Sequence, residues 1–230
     1  MLESITENIT QSFITDGRYR YLTQGLLVTI EITFLAVIIG MVLGFLIALI
    51  RSTYDLTGKR KILNFICKVY LTIVRGTPVI VQLLLMYFVI LDPFGVDKIP
   101  AAVITFGCNS AAYVAEIVRS GIMSVDGGQT EAGRSIGFSY SQTMIYIVLP
   151  QAFKNVLPAL LNEWISLLKE TSVSGYIAIA DLTKGGDVIR SITFRPFFPL
   201  VAVALVYLGI VMLMSALEAK VERRLRRSER

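Results

Sequence analysis

Five long apolar stretches, each bounded by charged or turn-forming residues, set the pattern of the chain. Leu22 to Ile50 is interrupted only by Glu31 and is long enough to cross about 30 Å of hydrocarbon as a tilted helix. Asn64 to Leu91 carries Lys68 and Arg75 in its first half, so that only Val79 to Leu91, about 20 Å of helix, is free of charge. Ile99 to Val118 is a full span with Glu116 near its end. Val156 to Leu168 is short and holds Glu163 in its interior, and Pro196 to Leu217 is a clean final span. The pattern predicts an all-α integral membrane fold of five transmembrane helices. A polar arm (residues 1–21) precedes a single transmembrane domain (residues 22–219), and a basic tail (residues 220–230) closes the chain. The arm has no apolar core followed by a small-residue cleavage site, so it does not read as a signal peptide. Its weak amphipathic pattern (Leu2, Ile5, Ile9, Phe13) suits a helix on the membrane surface, and equally an ordinary solvated arm.

Residues 120–150 form the one long water-compatible interruption. Asp126-Gly127-Gly128 predicts a turn, and Thr130 can cap a short helix from Glu131 to Ile136, with the Glu131 carboxylate at the positive end of the helix dipole. Gly137 ends that helix in a left-handed conformation, and Ser139 or Ser141 can cap a second short helix running up to Pro150. The expected product is a compact helix-turn-helix knob.

Composition narrows the chemistry. Apolar residues make up 54% and charged residues 17%, against about 25% charge in soluble proteins, which fits a membrane protein. With no histidine, neither a serine-histidine-carboxylate triad nor a His/Cys metal cluster can be assembled, so no enzyme activity is expected of this chain. Cys67 and Cys108 sit in apolar surroundings and read as unpaired small hydrophobes. Of the 22 lysines and arginines, 15 fall on the side of the knob and tail and 7 on the other. Because cytoplasmic loops are the richer in positive charge, the N-terminus is expected outside, and the knob and C-terminus in the cytoplasm. The net charge of +5 is then a topology signal and an anionic-lipid contact rather than a sign of nucleic-acid binding.

Two stretches are not ordinary membrane filler. Arg75-Gly76-Thr77-Pro78-Val79-Ile80-Val81-Gln82 breaks the second span, because proline removes a backbone donor, and irregular backbone at membrane depth survives only against protein or water. The break should face inward; the plainer reading is a helix start with Pro78 in its first turn. Glu163, next to Asn162 in a short span, should point into a bundle or a wet cavity, or else be satisfied by a neighbouring helix. Glu31 lies nearer the outer headgroups, and Glu116 is placed to snorkel or pair with Arg119. Residues 174–195, with Asp181-Leu182-Thr183-Lys184, are too polar to cross and read by default as a solvated loop. Gly40-x-x-x-Gly44 suits close helix packing.

The knob's spacing, Glu131-Ala132-Gly133, Gly137, Ile147, Leu149-Pro150, resembles the EAA motif of the membrane subunits of bacterial ABC importers. Gly133 departs from it, since that family more often has alanine there. A DNA-binding helix-turn-helix would share some of these residues, but the flanking spans argue against it. Asp126-Gly127-Gly128-Gln129 mimics part of an ATPase signature loop, but the chain has no phosphate-cradling loop. Arg75-Gly76-Thr77-Pro78 and the fourth span, Leu149 to Ser172, closely resemble the polar amino acid permeases, a subfamily of those importers.

The resemblance implies a type I ABC importer permease fold in a bacterial cytoplasmic membrane, with a second permease chain, identical or not, two ATPase subunits and an extracytoplasmic solute-binding protein. ATP and Mg would be bound by the ATPase subunits, and no cofactor by this chain. It implies ATPase coupling through Glu131, Ala132, Gly133, Gly137, Ile147, Leu149 and Pro150. A pathway for a polar amino acid would run past Glu163, Asn162, Thr77, Pro78 and Gln82. The rival reading is a stand-alone secondary transporter or channel using Glu31 and Glu163 as proton or cation sites, and a third is a membrane-anchored sensor subunit.

Overall fold

The computed structural model describes residues 2–227, and every regular element among them is helical. Helix α1 (Leu2–Ile9) runs through a π turn and a 3-10 turn to α2 (Tyr19–Thr57). Helices α3 (Lys61–Gly76) and α4 (Val79–Leu84) follow, α4 being continued by a π-helical stretch to Leu91. Next come α5 (Lys98–Met123), α6 (Gly127–Ser135), α7 (Tyr140–Thr143) and α8 (Leu149–Glu170). Helices α9 (Leu182–Thr193) and α10 (Phe197–Arg227) complete the chain. The part of the expected basic tail at residues 228–230 lies outside the described residues.

Four of these helices are long and apolar enough to cross a membrane: α2, α5, Tyr140–Ile177 and Phe197–Leu225. Lys61–Gly76 and Val79–Phe94, bent by 110° at the break between them, are together long and apolar enough to count as a fifth, broken span. These coincide with the five apolar stretches of the sequence. Helix α5 is the axle, with 72% of its apolar window buried by the rest of the chain, whereas α10 has 6% buried and must be covered by lipid or another chain. Lipid tails give helices little hydrophobic reason to associate, so packing depends on close backbone approach at small residues. That is what α2 and α5 do. A Cβ at Gly44 would stand 2.6 Å from Val114 and one at Gly107 2.7 Å from Ile39, so the Gly40-x-x-x-Gly44 face is a tight internal interface.

The core divides along α5. Ile32, Leu83, Phe106, Leu167 and Ile177 fill the half near its start, and Val118, Ile122, Val148, Val156 and Leu160 the half near the knob.

The stretch from 174 to 195 is not a solvated loop. Asp181 caps α9, its Oδ1 accepting from Lys184 N at 2.9 Å, and Leu182, Gly185, Gly186 and Ile189 turn one face inward with helical spacing. That face locks onto the beginning of α2. A Cβ at Gly25 would stand 2.5 Å from Asp181 O and one at Gly185 2.4 Å from Tyr21 O, while Leu182 N donates to Thr29 Oγ1 at 3.1 Å. The N-terminal arm is also ordered, its π turn packing against α9 and α10 with Ser12 buried.

Candidate functional site

The knob begins four residues earlier than its sequence predicts. Asp126, not Thr130, caps α6, its Oδ1 accepting from Gly128 N at 2.8 Å. Asp126 stands just before the first turn, where its carboxylate reaches forward to an open backbone N–H, whereas Thr130 already lies inside the helix. The end of α6 is as expected. Gly137 has φ +90°, and Phe138 N bonds Gly133 O at 3.1 Å while Gly137 N bonds Arg134 O at 3.0 Å, the paired bonds of a Schellman stop. Ser139 then caps α7 in a reciprocal box with Gln142.

Pro150 does not end the second knob helix. The chain passes from α7 through a π turn (Met144–Val148) directly into α8, so the knob and the fourth crossing share one helix, Tyr140–Ile177. Proline is tolerated because it falls in the first turn of α8, and the wider π turn absorbs the missing donor.

Gly133, the departure from the EAA pattern, is buried against its own chain. A Cβ there would meet Thr143 Cγ2 at 2.8 Å and Ile147 Cδ1 at 2.9 Å, so glycine lets α6 close onto α7 and the π turn. Ile147 therefore packs inside the knob, half-buried like Leu149, whereas Glu131, Ala132, Gly137 and Pro150 are exposed. Beside them Ile136 (71% exposed) and Tyr146 (68% exposed) stand out of the knob. The knob thus offers an acidic and apolar face on a rigid base.

The break between α3 and α4 is stapled by one amide. Gln82 Nε2 donates to Val74 O at 2.7 Å, Thr77 Oγ1 at 2.9 Å and Thr77 O at 3.0 Å, and Gln82 Oε1 accepts from Asn109 Nδ2 at 3.0 Å. The carbonyls left open by Pro78 are thereby satisfied. Arg75, Gly76, Thr77 and Pro78 are exposed in the single chain. One residue on from Asn109, Ser110 donates to Glu163 at 2.9 Å, so α5 carries contacts to both stretches singled out in the sequence. Asn162 points away and is exposed.

One cavity adjoins these residues, and a larger one lies farther along α5. Glu163 and Ser110 border one of about 130 Å³, otherwise walled by apolar residues of α2, α5 and α8 such as Met41, Val114 and Trp164. That is close to a cavity that accepts benzene, so it has room for the end of a side chain and not for a whole amino acid. The second, about 1020 Å³, lies at the opposite end of α5 from the knob and is bordered by Glu31, Tyr87, Asp92, Asp97, Lys98 and Ala178. It reaches the upper end of the size range of ligand pockets. Asp92 and Asp97 were not singled out in the sequence; their closeness to Glu31 depends on how the second span folds back. On the same side, the side chains of Arg190 and Lys184 hold the Asp187 carboxyl below its usual range, while burial raises that of Asp181 to about 6.

Glu116 pairs as expected with Arg119, at 3.2 Å, and also with Arg51 of α2. Cys67 and Cys108 are free thiols.

Residues 36–227 match the family model described as the binding-protein-dependent transport system inner membrane component. The chain is similar to the arginine transport system permease protein ArtQ of Bacillus subtilis, 35% identical over 212 residues that cover 91% of this chain and 94% of that protein. It is also similar to the glutamine transport system permease protein GlnP of Escherichia coli, 36% identical over 208 residues, or 89% and 93% of the two chains. Among solved structures it resembles the crystal structure of an amino acid ABC transporter with histidines, with a TM-score of 0.83 and 41% identity, covering 92% and 98% of the two chains. The set of membrane-length helices, the helical knob and these likenesses agree, and the chain belongs to the family of inner membrane components of binding-protein-dependent transport systems.

Proposed function

We propose that this chain is the permease subunit of an ATP-driven importer of polar amino acids in the bacterial cytoplasmic membrane. It works with a second permease chain, two ATPase subunits that bind ATP and Mg, and an extracytoplasmic binding protein. The observation that carries the reading is the continuity of the knob with the fourth crossing. A push on α6 and α7 from an ATPase is delivered along one helix to the level of Glu163, with no flexible linker between them. The charge distribution of the sequence supports a cytoplasmic knob. Transport of arginine and of glutamine by the relatives supports a polar amino acid as cargo. The carboxylates of Glu31, Asp92 and Asp97 around the larger cavity favour a cationic amino acid entering there. The Glu163 cavity then receives one end of it, with Thr77, Pro78 and Gln82 at the opposite side of α5.

Purification of the tagged chain from its host membrane tests this reading. It should bring down a separate ATP-hydrolysing subunit, and vesicles holding the complex should take up a polar amino acid only with ATP. Gly137→Val, which forces a side chain into a left-handed residue at about 1 to 3 kcal/mol, should leave insertion intact and lower uptake. Uptake driven by a proton gradient without ATP would favour the secondary-transporter reading, in which Glu31 and Glu163 carry protons. Glu163→Gln should weaken a cationic amino acid's stimulation of ATP hydrolysis with stability little changed.

A further inference from the structure

A basic cavity of about 430 Å³ opens between α2, α3 and α5, toward the end of the bundle that carries the knob. Its polar lining is Arg51, Lys68, Thr72, Arg75 and Glu116. The charges do not balance. Glu116, the single carboxylate, is already held by Arg51 and by Arg119, and Arg119 also bonds Asp55 at 3.1 Å. Lys68 makes no ion pair or side-chain hydrogen bond among the described residues, and the Arg75 guanidinium lies over the Tyr113 ring at 5.6 Å. Arg51 Nε is buried without a partner. Lys68 and Arg75 are exposed and Arg51 is half-buried, so an excess of positive charge opens on this cavity and draws an anion to it.

The two faces of α3 give that anion its character. Lys68, Thr72 and Arg75 recur at the four- and three-residue steps of one helical face and line the cavity. Ile62, Phe65, Ile66, Val69 and Ile73 form an exposed apolar stripe beside it. A free anion has no use for such a stripe, whereas an amphiphile fits both surfaces at once. We propose that the cavity holds the phosphate of an anionic phospholipid headgroup between Arg51, Lys68 and Arg75, with the acyl chains lying along the apolar stripe of α3. The inference needs only that the chain spans a bilayer and is independent of which solute it carries.

Full-length protein, with whatever subunits copurify, would be stripped of lipid and incubated with an equal mixture of phosphatidylglycerol and phosphatidylcholine. Native mass spectrometry then counts the retained lipids. Wild type should keep phosphatidylglycerol in preference. Lys68→Gln and Arg75→Gln should each cut that retention about fivefold, the effect of one cation near a membrane surface, and Lys68→Arg should preserve it. Neutralising Arg223 and Arg224 in α10 should leave it unchanged. Full retention by Lys68→Gln, or loss on neutralising Arg223 and Arg224 instead, would overturn the assignment. So would a lower melting temperature of Lys68→Gln in phosphatidylcholine alone, which marks a structural lysine. Stabilisation by millimolar inorganic phosphate equal to that by phosphatidylglycerol, and lost in Lys68→Gln, would make this a free-anion site and likewise reject the lipid.

Discussion

Asn109 of α5 holds Gln82 of α4 by a single amide-to-amide bond of 3.0 Å, and Gln82 in turn closes the carbonyls of Val74 and Thr77 across the chain break. The 110° bend is therefore fixed by side chains and not by proline alone. Gln82→Leu should strip partners from several backbone groups and lower stability by about 1 to 3 kcal/mol. Gln82→Glu keeps the acceptor for Asn109 but loses the donor. Thermal unfolding in detergent reads both, and an unchanged melting temperature for Gln82→Leu would show that water or lipid serves the break equally well.

Gly133→Ala would restore the residue more usual in the EAA pattern, yet here it should destabilise the knob. The new methyl falls 2.8 Å from Thr143 Cγ2, and overpacking of this kind costs about 1 to 3 kcal/mol. Adding Thr143→Ala removes one of the two obstructing side chains, leaving Ile147 Cδ1 at 2.9 Å, and should recover part of the loss. Melting curves of the single and double variants check the pair. Equal stability of Gly133→Ala and wild type would mean that α6 moves away without penalty.

Sidedness has a direct test. In a chain with Cys67 and Cys108 replaced by alanine, Ser191→Cys at the exposed end of α9 should react with a membrane-impermeant thiol reagent added outside. Ser141→Cys in the knob should react only after the membrane is opened. Labelling of Ser141→Cys from outside would reverse the orientation and remove the ATPase contact with it.

Asp181 gives a pH dependence. Its carboxyl is raised to about 6 chiefly by burial, against which the backbone bond from Lys184 works. A raised carboxyl pKa means that the folded state binds its proton more tightly than the unfolded state does, so this contribution favours folding at low pH. It declines as pH rises from near 4 to about 6 and is flat above, with a slope of at most about 1.4 kcal/mol per pH unit. Relative to the intrinsic base-catalysed rate, protection of α9 amides against hydrogen exchange should fall over that window in wild type and stay level in Asp181→Asn. The ordinary low-pH weakening of a salt-bridged aspartate would be the opposite result.

The spans at Leu22 to Ile50, Ile99 to Val118 and Pro196 to Leu217 were legible because each is an apolar run long enough to cross a bilayer alone. Val79 to Leu91 and Val156 to Leu168 are short and were legible only as parts of the same alternation of apolar runs and charged ends. Gly137 and Ser139 were legible because their roles are local and depend on residues within one turn. Three features were not. The cap at Asp126 lost to Thr130 because both fit a helix start, and sequence alone does not say which turn opens first. The run-on from the knob through Pro150 depends on a π turn, for which the apolar pattern gives no sign. Helix α9 was hidden by its own composition. Its apolar positions do recur with helical spacing, but Asp181, Lys184, Asp187 and Arg190 and the paired glycines Gly185 and Gly186 give the segment the polar, turn-like composition of a loop, and only the approach of Gly25 shows why those glycines are buried.

The lock between Gly25 and Asp181 also bears on the order in which the protein can be built. Helix α2 is the first crossing to leave the ribosome, yet the hydrogen bond from Leu182 to Thr29 joins residues 153 positions apart. Until residues 181–185 emerge, the opening turns of α2 lack the surface against which Tyr21, Gly25 and Thr29 close. Its inner partner α5 arrives earlier, at Lys98–Met123. The first helix is therefore fastened from the middle before it is fastened at its end. A chain stopped before α9 should insert with its spans in place and with its opening turns still accessible to proteases.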